Sequence, residues 1–239
     1  MDTSRRSFLA GAAASGFAGF LPSAFATPTP GLCKLPVKWD LTTDVIVAGS
    51  GIAGMCAATA AVDNGAKVIV FEKGKNYGGA AVINGGIMAL QGGTKWQREH
   101  NVEDTPERLY NHLTDPKNPE YKKNNPAHVK KYADYCGPTQ EWLEAHGVKF
   151  LPTATAPGKY DSQHHEFYLH VYTDDPGDGN RKPQPSGGFM GGRGVMMPLK
   201  TYCEQKGVKI LTEHKVTDVY KNAAGRVIGV RVEAGKKVL

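Results

Sequence analysis

The sequence predicts an α/β domain with a parallel sheet, a helical insert and a β-hairpin. Two short apolar runs, residues 45–48 and 68–71, flank a helical pattern, as in a strand–helix–strand crossover. Glycine is abundant, at 29 of 239 residues, and it clusters where these elements meet. Residues 215–233 read as two strands around a turn at Asn222–Gly225, which predicts the hairpin.

Composition and charge exclude several classes of protein. The chain is 40% hydrophobic and 22% charged, so it can bury a core. No run of 18 apolar residues occurs, which argues against a polytopic membrane protein. The net charge of +6 comes from scattered lysines and arginines, so nucleic acid is not an expected partner. The four cysteines form no zinc or haem-attachment pattern, and no metal is expected.

Residues 1–26 are predicted to be a twin-arginine signal peptide. Arg5 and Arg6 precede an apolar stretch that ends at the cleavage pattern Ala24–Ala26. An uncleaved membrane anchor is the alternative, but the stretch is short and interrupted by Pro22 and glycines. The expected partner is the twin-arginine export machinery, with a periplasmic or extracytoplasmic location. Residues 27–41 are predicted to be a Pro-rich tether, and residues 42–239 the folded domain.

The first strand, 45–48, is apolar throughout, which predicts burial on both faces. It runs directly into Gly49-Ser50-Gly51-Ile52-Ala53-Gly54, a G-x-G-x-x-G motif that opens a helix from about Ile52 to Asn64. Gly49 permits the tight turn, Gly51 lets the backbone approach a pyrophosphate, and Gly54 lets the helix pack closely on the strand. The helix N-terminus then favours the anion. The motif in this context predicts dinucleotide binding.

The second strand, Val68–Phe71, ends at Glu72. A carboxylate at this position accepts hydrogen bonds from the adenosine ribose and repels a 2′-phosphate, which argues against NADP. The motif alone does not choose between NAD and FAD. Paired glycines follow at 78–79, 85–86 and 92–93, where uncovered backbone N–H groups can approach a flat ring or a phosphate. A flexible surface loop is the alternative interpretation of that segment.

These glycine segments, together with Gly191-Gly192-Arg193-Gly194 and the hairpin, resemble the FAD-binding domain of the fumarate reductase and succinate dehydrogenase flavoprotein superfamily. The resemblance covers about residues 42–93 and 191–233. Soluble members include periplasmic enoate reductases and 3-ketosteroid dehydrogenases. The resemblance implies a Rossmann-like FAD-binding domain and, together with the predicted signal peptide, an exported FAD-dependent oxidoreductase.

The resemblance also implies roles for individual residues. Gly49, Ser50, Gly51, Ala53 and Gly54 would hold the pyrophosphate, Glu72 would hold the ribose, and the Val216 backbone would contact adenine. Lys73, next to Glu72, is also expected to bind the cofactor. The implied ribityl and isoalloxazine contacts are Gly79, Ala80, Ala81, Asn84, Gly85 and Gly86. Many relatives have Ser, Thr or Asn where this chain has Ala80-Ala81. Relatives with covalent flavin have a histidine before the second glycine pair, whereas here the nearest downstream is His100, so FAD is expected to be non-covalent.

The middle of the chain carries weaker signals. Thr105-Pro106 and Asn125-Pro126 predict helix starts, and Gly137-Pro138 predicts a break before a second helical piece ending near His146. Trp142 and Leu143 are expected in the core. Asp174–Asn180 fails as a calcium loop and is expected to be a turn. Phe167, Leu169 and Val171 alternate as in a half-buried strand, leaving His164, His165 and His170 as weak candidates for a substrate pocket.

The resemblance further implies that the α/β domain is incomplete at its C-terminus, because Val238-Leu239 is expected to begin a further strand of the dinucleotide sheet, with a cap domain beyond it. The resemblance assigns the proton donor to that cap, so the catalytic residues are unknown. The implied reaction exchanges a hydride between flavin N5 and an alkene conjugated to a carbonyl or carboxylate, as in fumarate or enoate reductases. A 3-ketosteroid dehydrogenase type and a catalytically silent FAD-binding fragment are the alternatives. The expected partners are a small-molecule substrate and a separate electron donor or acceptor protein.

Overall fold

A computed structural model describes residues 38–117, 123–155, 168–173, 189–235 and 237–238. The predicted signal peptide therefore lies outside the described residues, as do His164, His165 and the Asp174–Asn180 segment. No helix in the described ranges combines the length and the hydropathy that a membrane span requires.

The centre of the fold is a parallel sheet of three strands in the order β1, β2, β7. These are β1 Val45–Ala48, β2 Val68–Phe71 and β7 Lys209–Leu211. Helix α1, Ile52–Asp63, connects β1 to β2, and it ends before Gly65, whose φ is +76°. The predicted strand–helix–strand crossover is confirmed.

The two first strands differ in burial. All four residues of β2 are buried, whereas in β1 only Val47 is buried and Ile46 is 38% exposed. The expectation that β1 is buried on both faces is therefore wrong for the described part of the chain. Helix α1 covers the Val47 face, while Ile46 and Ala48 point away from it.

The core lies between the sheet and two helices, α1 and α5, where α5 spans Arg193–Gln205. Both helices bring small or flexible side chains to the contact, and these side chains are fully buried. The core cluster here includes Met55, Ala58, Val70, Met196, Leu199 and Cys203. This packing places the start of both helices at the carboxyl edge of the sheet.

A helical insert follows the glycine-rich segments. It comprises α2 Lys95–Glu99, α3 Pro106–Leu113 and α4 Pro126–Ala145. Thr105 caps α3 and Asn125 caps α4, as predicted, because each side-chain oxygen accepts a hydrogen bond from a first-turn N–H.

The predicted break at Gly137-Pro138 is wrong, because α4 is one helix of 20 residues that continues through Pro138. One unbroken stripe of buried side chains runs along α4, and its packing outweighs the hydrogen bond that proline cannot make. The buried residues of the stripe are Val129, Ala133, Cys136, Gln140 and Leu143. Leu143 is in the core as expected, and Trp142 packs against its edge.

A small antiparallel sheet joins the insert to the glycine segments. Its strands are β3 Ile87–Met88, β4 Phe150–Thr155, β5 Tyr168–Thr173 and β6 Phe189–Met190, with β5 pairing to all three others. The strand predicted around Leu169 and Val171 is confirmed, and its backbone runs beside the residues that follow Gly85-Gly86.

The predicted hairpin consists of β8 His214–Lys221 and β9 Val227–Ala234. Val216 and Val232 of the hairpin pack against Ile69 and Phe71 of β2, so the hairpin covers the face of the sheet opposite α1. Strand β10, Lys237–Val238, pairs antiparallel with β9. The expectation that Val238 begins a strand of the parallel sheet is therefore wrong, because the turn at Gly235 folds the chain back onto the hairpin.

Candidate functional site

The three glycines of the first motif have three different environments. Gly49 has φ +99°, which favours glycine, and its N–H donates to the Phe71 carbonyl at 2.7 Å. A Cβ atom on Gly54 would lie 1.9 Å from the Gly49 carbonyl oxygen and 3.2 Å from Val47 Cγ1. A Cβ atom on Gly51 would meet no atom of the described residues within 4 Å. The fold itself thus requires Gly49 and Gly54, whereas Gly51 faces open space.

The N-terminus of α1 opens onto that space. Gly51 is its N-cap, no side chain among the described residues caps the helix, and its first turn carries no acidic residue. The first N–H groups of a helix have no partner within the helix, and the helix dipole places partial positive charge there. An anion is therefore the group that this end of α1 can hold.

Glu72 joins the first glycine motif to the end of β2. Its Oε2 atom accepts hydrogen bonds from the Ser50 N–H at 2.9 Å and the Ser50 hydroxyl at 2.6 Å. Its Oε1 atom accepts from the Gly74 N–H at 2.7 Å. Burial by itself would raise the pKa of Glu72, but these hydrogen bonds and the charge of Lys73 outweigh it and lower the pKa. The carboxylate is therefore ionised at neutral pH.

Ser50 extends this connection to the next glycine segment. Its hydroxyl oxygen accepts from the Gly78 N–H at 2.9 Å, while the same hydroxyl donates to Glu72. Gly78 has φ +94° and precedes a 3₁₀ turn, Gly79–Val82, which contains Ala80 and Ala81. The structure thus brings the two predicted glycine segments together through one serine side chain. Lys73 lies beside them with an exposed side chain.

The segment that contains Asn84, Gly85 and Gly86 is packed against the start of α5. A Cβ atom on Gly86 would lie 2.4 Å from the Gly191 nitrogen, and one on Gly192 would lie 1.8 Å from the Ala81 carbonyl oxygen. The Asn84 carbonyl accepts from the Gly192 N–H at 3.1 Å. Only glycines permit backbones to approach this closely.

The Asn84 side chain serves this local structure. Its amide nitrogen donates to the Ala81 carbonyl at 2.9 Å, and its oxygen accepts from the Gly86 N–H at 2.7 Å. Gly85 differs from its neighbours because, within the part of the chain that the structure describes, a Cβ atom there would meet nothing within 4 Å. Of this segment, Gly85 is thus the glycine that faces open space.

Val216 lies near the start of β8, which is hydrogen-bonded to the carboxyl edge of the parallel sheet. The His214 N–H donates to the Glu72 carbonyl at 2.8 Å, and the Glu213 N–H donates to the Gly74 carbonyl at 2.9 Å. Val216 follows two residues later and packs against Ile69 and Phe71. Of the three candidate histidines, the structure describes His170. His170 pairs across the sheet with Ile87, the residue that follows Gly86.

Sequence reasoning missed two features. The side chain of Ser50 occupies a variable position of the motif, so its bridge between Glu72 and Gly78 left no pattern. The contact between Gly86 and Gly191 was also missed, although positive φ and paired glycines at both places were a usable signal.

These residues fit FAD. The open space at Gly51, the uncapped helix start and the buried Glu72 carboxylate suit a pyrophosphate and a ribose. The comparisons agree with this geometry. The FAD binding domain family matches residues 44–238.

Two curated relatives are each 28% identical to the chain. One is a fumarate reductase (cytochrome) of Shewanella frigidimarina, aligned over 80% of this chain and 30% of the relative. The other is an acrylate reductase flavoprotein subunit of Shewanella woodyi, over 97% and 41%. The chain thus spans less than half the length of these relatives.

Among solved structures, the 3-ketosteroid-Δ4-(5α)-dehydrogenase of Rhodococcus jostii RHA1 shares the fold. Its TM-score is 0.69 at 24% identity, over 85% of this chain and 44% of that one. Geometry and family match lead to the same conclusion: the chain belongs to the FAD binding domain family.

Proposed function

We propose that the chain forms the nucleotide-holding part of an exported FAD-dependent oxidoreductase of the fumarate reductase type, acting on a C=C bond conjugated to a carbonyl or carboxylate. The observation that carries this proposal is the hydrogen-bonded connection from Gly78 through Ser50 to Glu72. This connection joins two glycine segments and Glu72, the proposed ribose-binding acid, at the carboxyl edge of a parallel sheet. Parallel sheets bind nucleotides at this edge. The two reductases at 28% identity support the reaction class.

Each part of the chain has a proposed task. The N-terminus of α1, with Gly49, Ser50, Gly51, Ala53 and Gly54, binds the pyrophosphate, because its N–H groups are uncapped. Glu72, beside Lys73, accepts a hydrogen bond from a ribose hydroxyl with the one lone pair, on Oε1, that Ser50 and Gly74 leave unused.

Two further segments complete the proposed cofactor contacts. The Val216 backbone contacts adenine, since the first residues of β8 are hydrogen-bonded to Glu72 and Gly74. The segment from the 3₁₀ turn to the second glycine pair lies along the ribityl chain and the ring. Its members are Gly79, Ala80, Ala81, Asn84, Gly85 and Gly86.

When bound, FAD supplies hydride exchange between its N5 atom and a substrate carbon. The chain's own residues bind and orient the cofactor. Gly85 leaves space beside the ring, and the Gly86–Gly191 contact holds that loop against α5. We assign no catalytic acid or base to the described residues. FAD is proposed to be non-covalent because residues 78–93 contain no histidine.

Export, substrate and electron supply complete the proposal. The twin-arginine pattern at Arg5-Arg6 supports export with the cofactor already inserted, to a periplasmic or extracytoplasmic location. A small-molecule alkene is the substrate, and a separate protein donates or accepts electrons.

The test uses the full chain, purified in the dark and separated from free flavin. Visible flavin absorption that acid precipitation releases into the supernatant would support non-covalent FAD, whereas pigment that stays with the pellet would contradict it. Acrylate, fumarate and a 3-ketosteroid enone are then assayed with reduced methyl viologen as the electron donor. Turnover of the acids alone supports the proposed reaction, turnover of the steroid alone supports the dehydrogenase type, and bound FAD without turnover supports a silent binding module.

A further inference from the structure

We propose that Trp39 is a positioning residue for the adenosine end of the FAD site, and that it acts by fixing the far end of the β8–β9 hairpin. The inference rests on the proposed contacts of Glu72 and Val216 with the cofactor. Trp39 belongs to the segment predicted from sequence to be a tether, and no motif pointed to it.

The Trp39 ring packs against the hairpin near its turn. A Cβ atom on Gly229 would lie 2.4 Å from two carbons of the ring, so the indole occupies the place of the side chain that Gly229 lacks. Tyr220, the Cα partner of Gly229, meets the ring edge-on at a centroid distance of 5.7 Å and an interplanar angle of 80°. Tyr220 is only 6% exposed, so this contact is part of the packed structure.

Arg231 of β9 contacts Tyr220, the residue of β8 that packs against Trp39. Arg231 donates through Nε to the Tyr220 hydroxyl at 3.1 Å, and its guanidinium lies 5.8 Å from the centre of the tyrosine ring. Tyr220 is therefore contacted by both Trp39 and Arg231.

The segment that carries Trp39 is itself anchored at the amino edge of the parallel sheet. The Thr43 hydroxyl donates to the Lys67 carbonyl at 2.7 Å, and the Asp44 carboxylate accepts from the Lys67 N–H at 2.9 Å. Lys67 directly precedes β2. Trp39 thus connects the hairpin to the edge of the sheet that lies opposite Glu72.

The other end of the hairpin is fixed at the carboxyl edge. The N–H groups of Glu213 and His214 donate to the carbonyls of Gly74 and Glu72. Between the two fixed ends, Val216 and Val232 pack on Ile69 and Phe71. A hairpin held at both ends cannot pivot, whereas without Trp39 it can rotate about its first residues, where Val216 and the Glu72 backbone lie.

The experiment is a double-mutant cycle on the full chain, with the FAD dissociation constant as the readout. Trp39→Ala is expected to raise the dissociation constant about tenfold, within the usual range for coupling between sites. Gly229→Ala in the wild-type background should have a similar effect, because its Cβ atom displaces the ring. In the Trp39→Ala background the same substitution should add little, since the space is then free.

Two further variants serve as controls. Trp39→Phe should bind FAD more tightly than Trp39→Ala, because a smaller ring still fills part of the space beside Gly229. Tyr135→Ala removes another exposed aromatic side chain, 58% exposed on α4, and should leave the dissociation constant unchanged. All titrations are done at a temperature at which circular dichroism shows every variant folded.

A Trp39→Ala variant that melts at a lower temperature yet binds FAD with wild-type affinity would overturn the proposal, because Trp39 would then only stabilise the fold. Additive effects of the two substitutions would also overturn it. Amide hydrogen exchange of residues 213–218 in the cofactor-free chain provides a readout that does not depend on FAD. Exchange there should be faster in Trp39→Ala, and unchanged exchange would contradict the pivot. A wild-type chain that holds no FAD would instead overturn the proposed cofactor contacts.

Discussion

Substitution of two glycines in one motif separates the needs of the fold from those of the cofactor. Gly54→Ala places a methyl group 1.9 Å from the Gly49 carbonyl oxygen, and Gly51→Ala places one where no described residue lies within 4 Å. Both positions have negative φ, with Gly51 at −64°, so alanine strains neither backbone. We expect Gly54→Ala to destabilise the chain and Gly51→Ala to weaken FAD binding alone.

The magnitude for Gly54→Ala follows from the contact. Relief of the clash requires α1 to move by about 1 Å away from β1, which disturbs the packing of Met55 and Ala58. Overpacking of this kind costs about 1–3 kcal/mol, and the higher helix propensity of alanine returns at most about 1 kcal/mol. A net loss of about 1–2 kcal/mol would lower the melting temperature by about 2–8 °C for a chain of this size.

The assay combines urea unfolding of the cofactor-free chain with FAD titration. For Gly51→Ala we expect a change in unfolding free energy below about 1 kcal/mol, the scale of an exchange at the helix N-cap. Its FAD dissociation constant should rise at least about tenfold, because the methyl group fills the space proposed for the pyrophosphate. A Gly54→Ala variant as stable as wild type, or a Gly51→Ala variant that binds FAD normally, would refute the reasoning.

Two further predictions concern acidic side chains. The folded-state pKa of Glu72 is lowered below its ordinary value of 4.5, so its contribution to stability is full above that pH and is lost as pH falls through the folded-state pKa. Glu72→Gln should cost about 1.5–3 kcal/mol at neutral pH and flatten the acid limb of the urea-unfolding profile; equal acid slopes in both proteins would contradict this. Asp63 accepts from the Tyr202 hydroxyl at 2.6 Å and contacts His146 Nε2 at 2.9 Å, and the hydrogen bond to Asp63, with burial, raises the pKa of Tyr202. Asp63→Asn should lower that pKa, as seen by ultraviolet titration against Tyr202→Phe as the blank, and an unchanged difference titration would show that Asp63 does not control it.

Local patterns in the sequence were sufficient for the elements around the first glycine motif. Apolar runs, a helix-ending glycine at 65 and the Thr105-Pro106 start each depend on neighbours a few residues apart. Such signals survive in a single sequence because backbone geometry and capping are short-range. The same kind of signal failed at Pro138, where a stripe of buried contacts along α4 outweighs the local preference.

What the sequence determined by itself was the strand–helix–strand crossover, its glycine motif and the acid at the end of β2, because residue type and spacing are the physical requirement there. Only the tertiary structure decided how these parts are joined. Ser50 meets Glu72 and Gly78 across separations of 22 and 28 residues, and Trp39 sits on Gly229 from the other end of the chain. Contacts of this kind depend on how whole elements pack, and a residue that fills a gap or bridges two loops leaves no periodicity to read.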